Sequence, residues 1–203
     1  MKGCRPLKSR ERDKALTSFQ GYYSKRNAAL FALGIKSGFR ISESLSIRVK
    51  DVVYQRRIVQ DVSVERKHMK RKIEGRTVFL NELAQKALCE WVAELKRRGN
   101  VSPETYVFKS RMGKNQPISK SQAWRVLNQV FRDLGFHGKL GTHCMRKTFV
   151  ADVYDRLIDM RETDNSIDPL PMLQMATGHK TYDALLKYLS FRNKPVRDAI
   201  RAI

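Results

Sequence analysis

Apolar residues along this chain fall mostly at helical spacing, interrupted once by a stretch with the period of strands. Residues 26–37, RNAALFALGIKS, are apolar almost without a break at their centre, which predicts a helix buried on several sides and ended by Gly38. Residues 42–47 follow as a short two-faced helix, and the polar, basic residues before 25 predict a loose lead-in with one short helix. From 51 to 80 the pattern changes. Val52, Val53, Ile58, Val59, Val62 and Val64 form β-branched runs, Thr77-Val78-Phe79-Leu80 forms another, and ERKHMKRKIEGR between them reads as a basic hairpin tip. Helical period returns over 81–98, where Leu83, Ala87, Leu88, Trp91, Val92 and Leu95 share a face and Gly99 closes the element.

Residues 100–116 read as loop with a short strand at 105–108, and Ser119 with Gln122 makes a capping box. The helix it opens buries Ala123, Leu127, Val130, Phe131 and Leu134 and turns Lys120, Arg125 and Arg132 outward, where a solvated basic face is the plain reading. Helices are expected at 142–158, 170–176 and 180–190, with an acidic-polar insertion, DMRETDNSIDP, at 159–169 and an amphipathic tail at 193–203. There is no internal repeat and no low-complexity segment. The fold class is therefore mainly α with one small antiparallel β-sheet (α+β), in a single domain.

Charge adds a partner to this picture. Lys and Arg number 41 against 20 Asp and Glu, a formal net charge of +21 over 203 residues. That excess goes beyond what solubility needs and points to a polyanion, nucleic acid before a membrane surface, with a merely basic, ribosome-type surface as the alternative. The 41% of hydrophobic residues supply a real core, so this is not a disordered basic tail. Cys4, Cys89 and Cys144 are widely spaced with no C-x-x-C, which predicts reduced thiols and neither a disulfide frame nor a zinc site. With no signal-type h-region and no apolar run of membrane length, a soluble cytoplasmic, nucleoid-associated protein is expected.

Two stretches carry candidate chemistry. In THCMRKTF, His143 and Arg146 stand three apart and so share a helix face; in GHKTYDALLKY, His179 is followed nine positions later by Tyr188. An arginine, two histidines and a tyrosine lack the carboxylate or thiolate support of a metal site, but suit a phosphate attacked by an oxygen nucleophile. No P-loop and no acidic metal cluster accompany them, so neither metal nor cofactor is expected. Each residue also has a structural reading: Arg40 as a helix-start arginine, Glu43 as a charge offsetting a helix dipole, and Tyr188 as a core residue among Leu185, Leu186 and Leu189. Tyr182 is the nearest rival nucleophile.

Taken in order, GFRISE, the basic hairpin, HCMRKTF and GHKTYDALLKY resemble the catalytic domain of the tyrosine recombinases: phage integrases and Xer- and Cre-type enzymes. The resemblance runs from about residue 25 to residue 188. It implies the tyrosine recombinase catalytic-domain fold and a metal- and ATP-independent enzyme that breaks and rejoins double-stranded DNA. Arg40 and Arg146 would clamp the non-bridging phosphate oxygens, His143 would help deprotonate the tyrosine, and His179 would donate to a phosphoryl oxygen. Glu43 would buttress Arg40 or a histidine, and Tyr188 would form a 3′-phosphotyrosyl linkage and release a 5′-hydroxyl. A hairpin lysine would protonate that leaving oxygen. Counting back from residues 76–80, which resemble R-x-V-P-L, favours Lys70 over Lys67 and Lys72, and these two with Lys120 and Arg125 would contact DNA. The family pattern implies a homo-tetramer on two paired sites, with an accessory DNA-bending protein as a further partner. A type IB topoisomerase-like relaxing enzyme and a non-catalytic DNA-binding regulator are the alternatives.

The layout departs from the family in three ways. Only a lead-in (1–24) precedes the catalytic domain (25–190), with a tail (191–203) suited to docking on a neighbouring subunit, so no N-terminal core-binding domain is expected; the short fimbrial-switch invertases are built this way. The gap from Arg146 to His179 is long. Thr177 stands where leucine is common before Gly-His, and Lys147 where histidine or arginine is frequent.

Overall fold

A computed structural model describes residues 3–64, 76–179, 181–189 and 200–201. Its elements run α1 (Ser9–Thr17), α2 (Ser24–Ser37), α3 (Ile41–Ser46), α4 (Val49–Val52), β1 (Val53–Tyr54), β2 (Arg57–Ile58), β3 (Asp61–Val64), β4 (Arg76–Phe79), α5 (Glu82–Arg97), α6 (Lys120–Asp133), α7 (Thr142–Arg161), α8 (Pro169–Thr177) and α9 (Tyr182–Leu189). Helix α2 is the axis. Its apolar residues point to more than one side, so it must be covered on more than one side. Ala29, Leu30 and Leu33 join a core with α5, the β3–β4 hairpin and the α3–α4 turn, while Phe31 and Ile35 join a second with α1, α6 and the start of α7. Gly34 lets α7 come close, because a Cβ there would lie 2.5 Å from the Met145 sulfur. A third, smaller cluster is built on Val150, Leu173 and Leu185 and unites α7, α8 and α9.

Several helices start alike. Lys8, Arg40 and Arg48 precede α1, α3 and α4, and each offers its backbone N–H to a carboxylate three residues on: Glu11 at 2.8 Å, Glu43 at 2.7 Å and Asp51 at 2.7 Å. In a chain short of acids, these carboxylates both satisfy an orphan donor and offset the helix N-terminal charge. Helices α5 and α6 begin on side-chain caps from Asn81 and Ser119, the latter where the sequence places it.

The structure differs from the sequence reading at four places. The lead-in is not loose: Leu7, Ala15 and Phe19 are buried in the second cluster, the Leu7 N–H donates to the Thr148 hydroxyl at 2.9 Å, and Arg12 pairs with Asp152 on α7. Charge density along residues 1–24 hides these few apolar anchors. In place of one sheet, the described residues form two antiparallel two-stranded ladders, β1–β2 and β3–β4. The first turns at Gln55-Arg56, both at positive φ (47° and 65°), a tight turn without the usual Asn-Gly signature. The 105–108 segment is not a strand but a largely buried, turning stretch with a single antiparallel bridge, Tyr106 to Arg48, whose backbone meets residues 47–49 (Val49 N–H to Thr105 C=O, 2.8 Å; Val107 N–H to Ile47 C=O, 2.9 Å). Finally, α7 runs on to Arg161, and the expected insertion shortens to a turn in which Ile167 is buried and Asp168 caps α8. In β3–β4, Val62 and Val78 face each other inward and Ser63 pairs with Thr77. The expected basic tip with Lys67, Lys70 and Lys72 lies outside the described residues, as does most of the 191–203 tail.

Gly38 closes α2 in the left-handed conformation (φ 61°), and a Cβ there would fall 2.3 Å from the Phe149 ring. Left-handed strain and overpacking both oppose a side chain, so Gly38→Ala should lower unfolding free energy by about 2–4 kcal/mol, read from urea denaturation. A wild-type midpoint in that variant would contradict the packing described.

Candidate active site

Three segments meet at one guanidinium. Arg146, on the first turns of α7, is 1% exposed. Its Nη1 donates to the Gly38 carbonyl just before the Arg40 turn, and its Nη2 donates to the Thr177 carbonyl at the end of α8 at 2.8 Å. Nη2 also lies 3.3 Å from the His179 Nε2, and the buried Nε has no hydrogen-bond partner among the described residues. Burial in protein is the main influence lowering the Arg146 pKa, and the charge of Arg40 adds to it; Tyr188 and Glu43 act in the opposite direction.

His143 stands one turn before Arg146 and is exposed. Protein crowding on its inner side, then the charges of Arg146, Arg40 and Lys147, hold its pKa below the ordinary imidazole value. Arg40 and Glu43 form the other flank: the Arg40 Nη1 donates to Glu43 Oε1 at 2.9 Å while the Arg40 backbone N–H binds Oε2. Burial works to raise the Glu43 pKa, but these bonds and the nearby Arg146 outweigh it and hold the carboxyl below its usual range. Glu43 thereby fixes Arg40 from two directions.

Gly178 ends α8 in the left-handed conformation (φ 63°), which turns the chain so that His179 folds back, buried, against Arg146. Helix α9 then presents Tyr188. Its ring centroid lies 4.7 Å from that of His179 and 6.5 Å from that of His143, with the Arg146 guanidinium carbon 5.6 Å away. Tyr182, the rival, sits at the largely exposed start of α9, about 240° round the helix from Tyr188.

Thus His143, Arg146, His179 and Tyr188 come together, with Arg40 and Glu43 beside them. Lys120 and Arg125 are exposed on α6; Trp124 between them is 51% exposed, and its indole nitrogen would lie 3.3 Å from a Cβ on Gly141, at the start of α7. The catalytic lysine expected in the hairpin lies outside the described residues. Among the described residues no group of three or more His, Cys, Asp or Glu gathers as metal ligands, and no helix is long and apolar enough to cross a membrane. Two features escape the motif reading. The Thr177 hydroxyl touches the His179 Nδ1 at 2.6 Å, and Trp124 adds an exposed aromatic to the basic face of α6. The departure from leucine at 177 was the available signal for the first; the helical pattern gave none for the second.

The model of the phage integrase family matches residues 9–192. The probable integrase/recombinase YoeC of Bacillus subtilis (strain 168) is 30% identical over 196 residues, covering 97% of this chain and 94% of that protein. Among solved structures, XerA recombinase aligns with a TM-score of 0.71 at 18% identity, over 98% of this chain and 65% of its own. XerH site-specific recombinase bound to palindromic difH substrate, a post-cleavage complex, aligns with a TM-score of 0.67 at 20% identity, over 90% of this chain and 48% of its own. These two likenesses are likenesses of fold, and the chain spans 48% to 65% of the solved chains' length.

The charges around His143 have a measurable consequence. Its NMR titration midpoint should fall below the ordinary 6.5, and Arg40→Gln should move it upward. Because the folded pKa is the lower one, the unfolded chain binds more protons between the two values. His143 therefore lowers stability as pH drops from about 6.5 towards the folded pKa. A wild-type midpoint at or above 6.5 would contradict the geometry.

Proposed function

This chain belongs to the phage integrase family, and on that footing we propose that it is a site-specific recombinase that breaks and rejoins double-stranded DNA through Tyr188. The observation that carries the reading is the gathering of Arg146, His143 and His179 round one tyrosine ring. The Tyr188 oxygen attacks phosphorus, the bond to the 5′ oxygen breaks, and that oxygen leaves with a proton. The phenol's own proton passes towards His143. A free phenol has a pKa of about 10, so it needs a base or cationic neighbours to act as a nucleophile near neutral pH. Arg40 and Arg146 neutralise the equatorial oxygens, for which planar guanidinium forks are well shaped. Glu43 keeps Arg40 aimed.

The phosphotyrosyl bond conserves the energy of the phosphodiester, so a 5′-hydroxyl can reverse the step without a nucleotide cofactor. Lys70 remains the proposed general acid, with Lys67 and Lys72 as its alternatives. Support for a duplex DNA partner comes from the +21 charge and from the XerH complex, whose fold this chain shares and which holds a difH substrate. We assign Lys120 and Arg125 to phosphate contacts that set position more than sequence. A homo-tetramer on two paired sites, assisted by a DNA-bending protein in the cytoplasm, completes the proposal.

Covalent trapping tests the chemistry. Incubated with nicked duplexes drawn from the DNA flanking its own gene, wild type should give a protein–DNA band on a denaturing gel, and Tyr188→Phe none. A band from both would make another residue, Tyr182 first, the nucleophile; tight binding with no band from wild type would favour a regulator. Sequence-independent plasmid relaxation would favour the topoisomerase reading. For the basic face, Lys120→Gln with Arg125→Gln should weaken duplex binding and reduce the slope of log K against log salt by about 2.

A further inference from the structure

We infer that Thr177 is a positioning residue: its hydroxyl fixes which nitrogen of His179 faces a bound phosphate. The consequence for cleavage rests on the recombinase reading above, whereas the hydrogen-bond arrangement itself does not.

The argument is one of valence. A threonine hydroxyl has one proton to give. That of Thr177 lies 2.7 Å from the Leu173 carbonyl one turn back in α8, and a carbonyl can only accept. The same oxygen lies 2.6 Å from the His179 Nδ1, so with its proton committed to Leu173 it must accept there, and Nδ1 must carry hydrogen. The other side of the ring leads to the same assignment. Arg146 Nη2, a donor only, lies 3.3 Å from the His179 Nε2, so that nitrogen presents its lone pair. Two neighbours with independent chemistry thus select the Nδ1–H form.

Residue 177 acts on both phosphate-facing groups. Its backbone carbonyl holds the Arg146 guanidinium at 2.8 Å, and its side chain holds the imidazole. The residue is fully buried, and the Gln174 amide donates to the His179 backbone carbonyl at 3.0 Å, so the backbone of His179 is held as well as its ring. Leucine at 177 could supply the carbonyl but not the acceptor. With Nδ1 engaged in this way, Nε2 is the nitrogen left to meet an incoming phosphate. Before DNA binds, it is bonded to Arg146. A phosphoryl oxygen must take over that arginine bond, and His179 can donate to the oxygen only once Nε2 has itself gained a proton. Thr177 can accept from Nδ1–H in both the neutral and the protonated ring, so it holds the ring in one orientation through that change.

Long-range proton–nitrogen NMR of the DNA-free full chain reads the tautomer directly, with His179 assigned among the four histidines by its loss in His179→Gln. Wild type and Thr177→Ser should show hydrogen on Nδ1. Thr177→Val, similar in shape but without the hydroxyl, should lose that single form. In single-turnover cleavage Thr177→Val should slow the chemical step by about 10- to 100-fold with duplex affinity unchanged, and Thr177→Ser should restore most of the rate. Hydrogen on Nε2 in wild type would overturn the inference, as would a Thr177→Val variant with wild-type tautomer and rate. Should Thr177→Val fail to fold, the wild-type and Thr177→Ser spectra still decide it. A wild type that shows the Nδ1–H form but never cleaves would count against the recombinase reading and support the hydrogen-bond assignment.

Discussion

One buried guanidinium organises this molecule. Arg146 is almost wholly removed from solvent, where an unpaired charge is costly, and its two terminal nitrogens both donate to backbone carbonyls. These are the carbonyl of Gly38, at the end of α2, and the carbonyl of Thr177, at the end of α8. Both are helix C-termini, where carbonyls lack intrahelical partners and the helix dipole favours a cation. Satisfying Arg146 thus brings the first arginine turn and the histidine turn to the same helix. The glycines at 38 and 178 serve this arrangement: each ends its helix in the left-handed conformation and sends the chain back towards the guanidinium.

The surplus of positive charge poses a second constraint. Arg40, Arg146 and Lys147 all act on His143, and Arg40 also acts on Arg146, so like charges crowd one site. Glu43 is the carboxylate that offsets this, bound to Arg40 by backbone and side chain at once. Any anion at the site would relieve the remaining repulsion, so the same crowding that costs folding energy favours negative charge there. His143, held neutral to lower pH by burial first and then by these neighbours, stays able to accept a proton.

Tyr188 is held differently from the arginines. Helix α9 attaches through a small cluster centred on Val150, Leu173 and Leu185, whereas the two larger cores enclose α2. Among the described residues, the cluster on α9 is smaller than the two around α2.

Much of this was legible in the sequence, for physical reasons. A helix apolar on several sides has to be central, and α2 is. The capping hydroxyl of Ser119, the stripe of α6 and the four short motifs depend on local spacing, which the chain carries without its fold. The residues of the motifs could be named in advance, and the structure brings together those it describes. What the sequence could not determine depends on contacts between distant segments. The N-terminal residues look solvated until Leu7 meets Thr148 and Arg12 meets Asp152, on a helix some 140 residues away. The β1–β2 ladder turns tightly at Gln55 and Arg56, at a positive φ that neither residue advertises. In the sequence Thr177 is only a departure from leucine, since a hydroxyl's worth depends on which partners lie within 3 Å of it. Those partners, Leu173 behind it and His179 in front, are placed by the end of α8 and by Arg146, and only the tertiary structure sets that geometry.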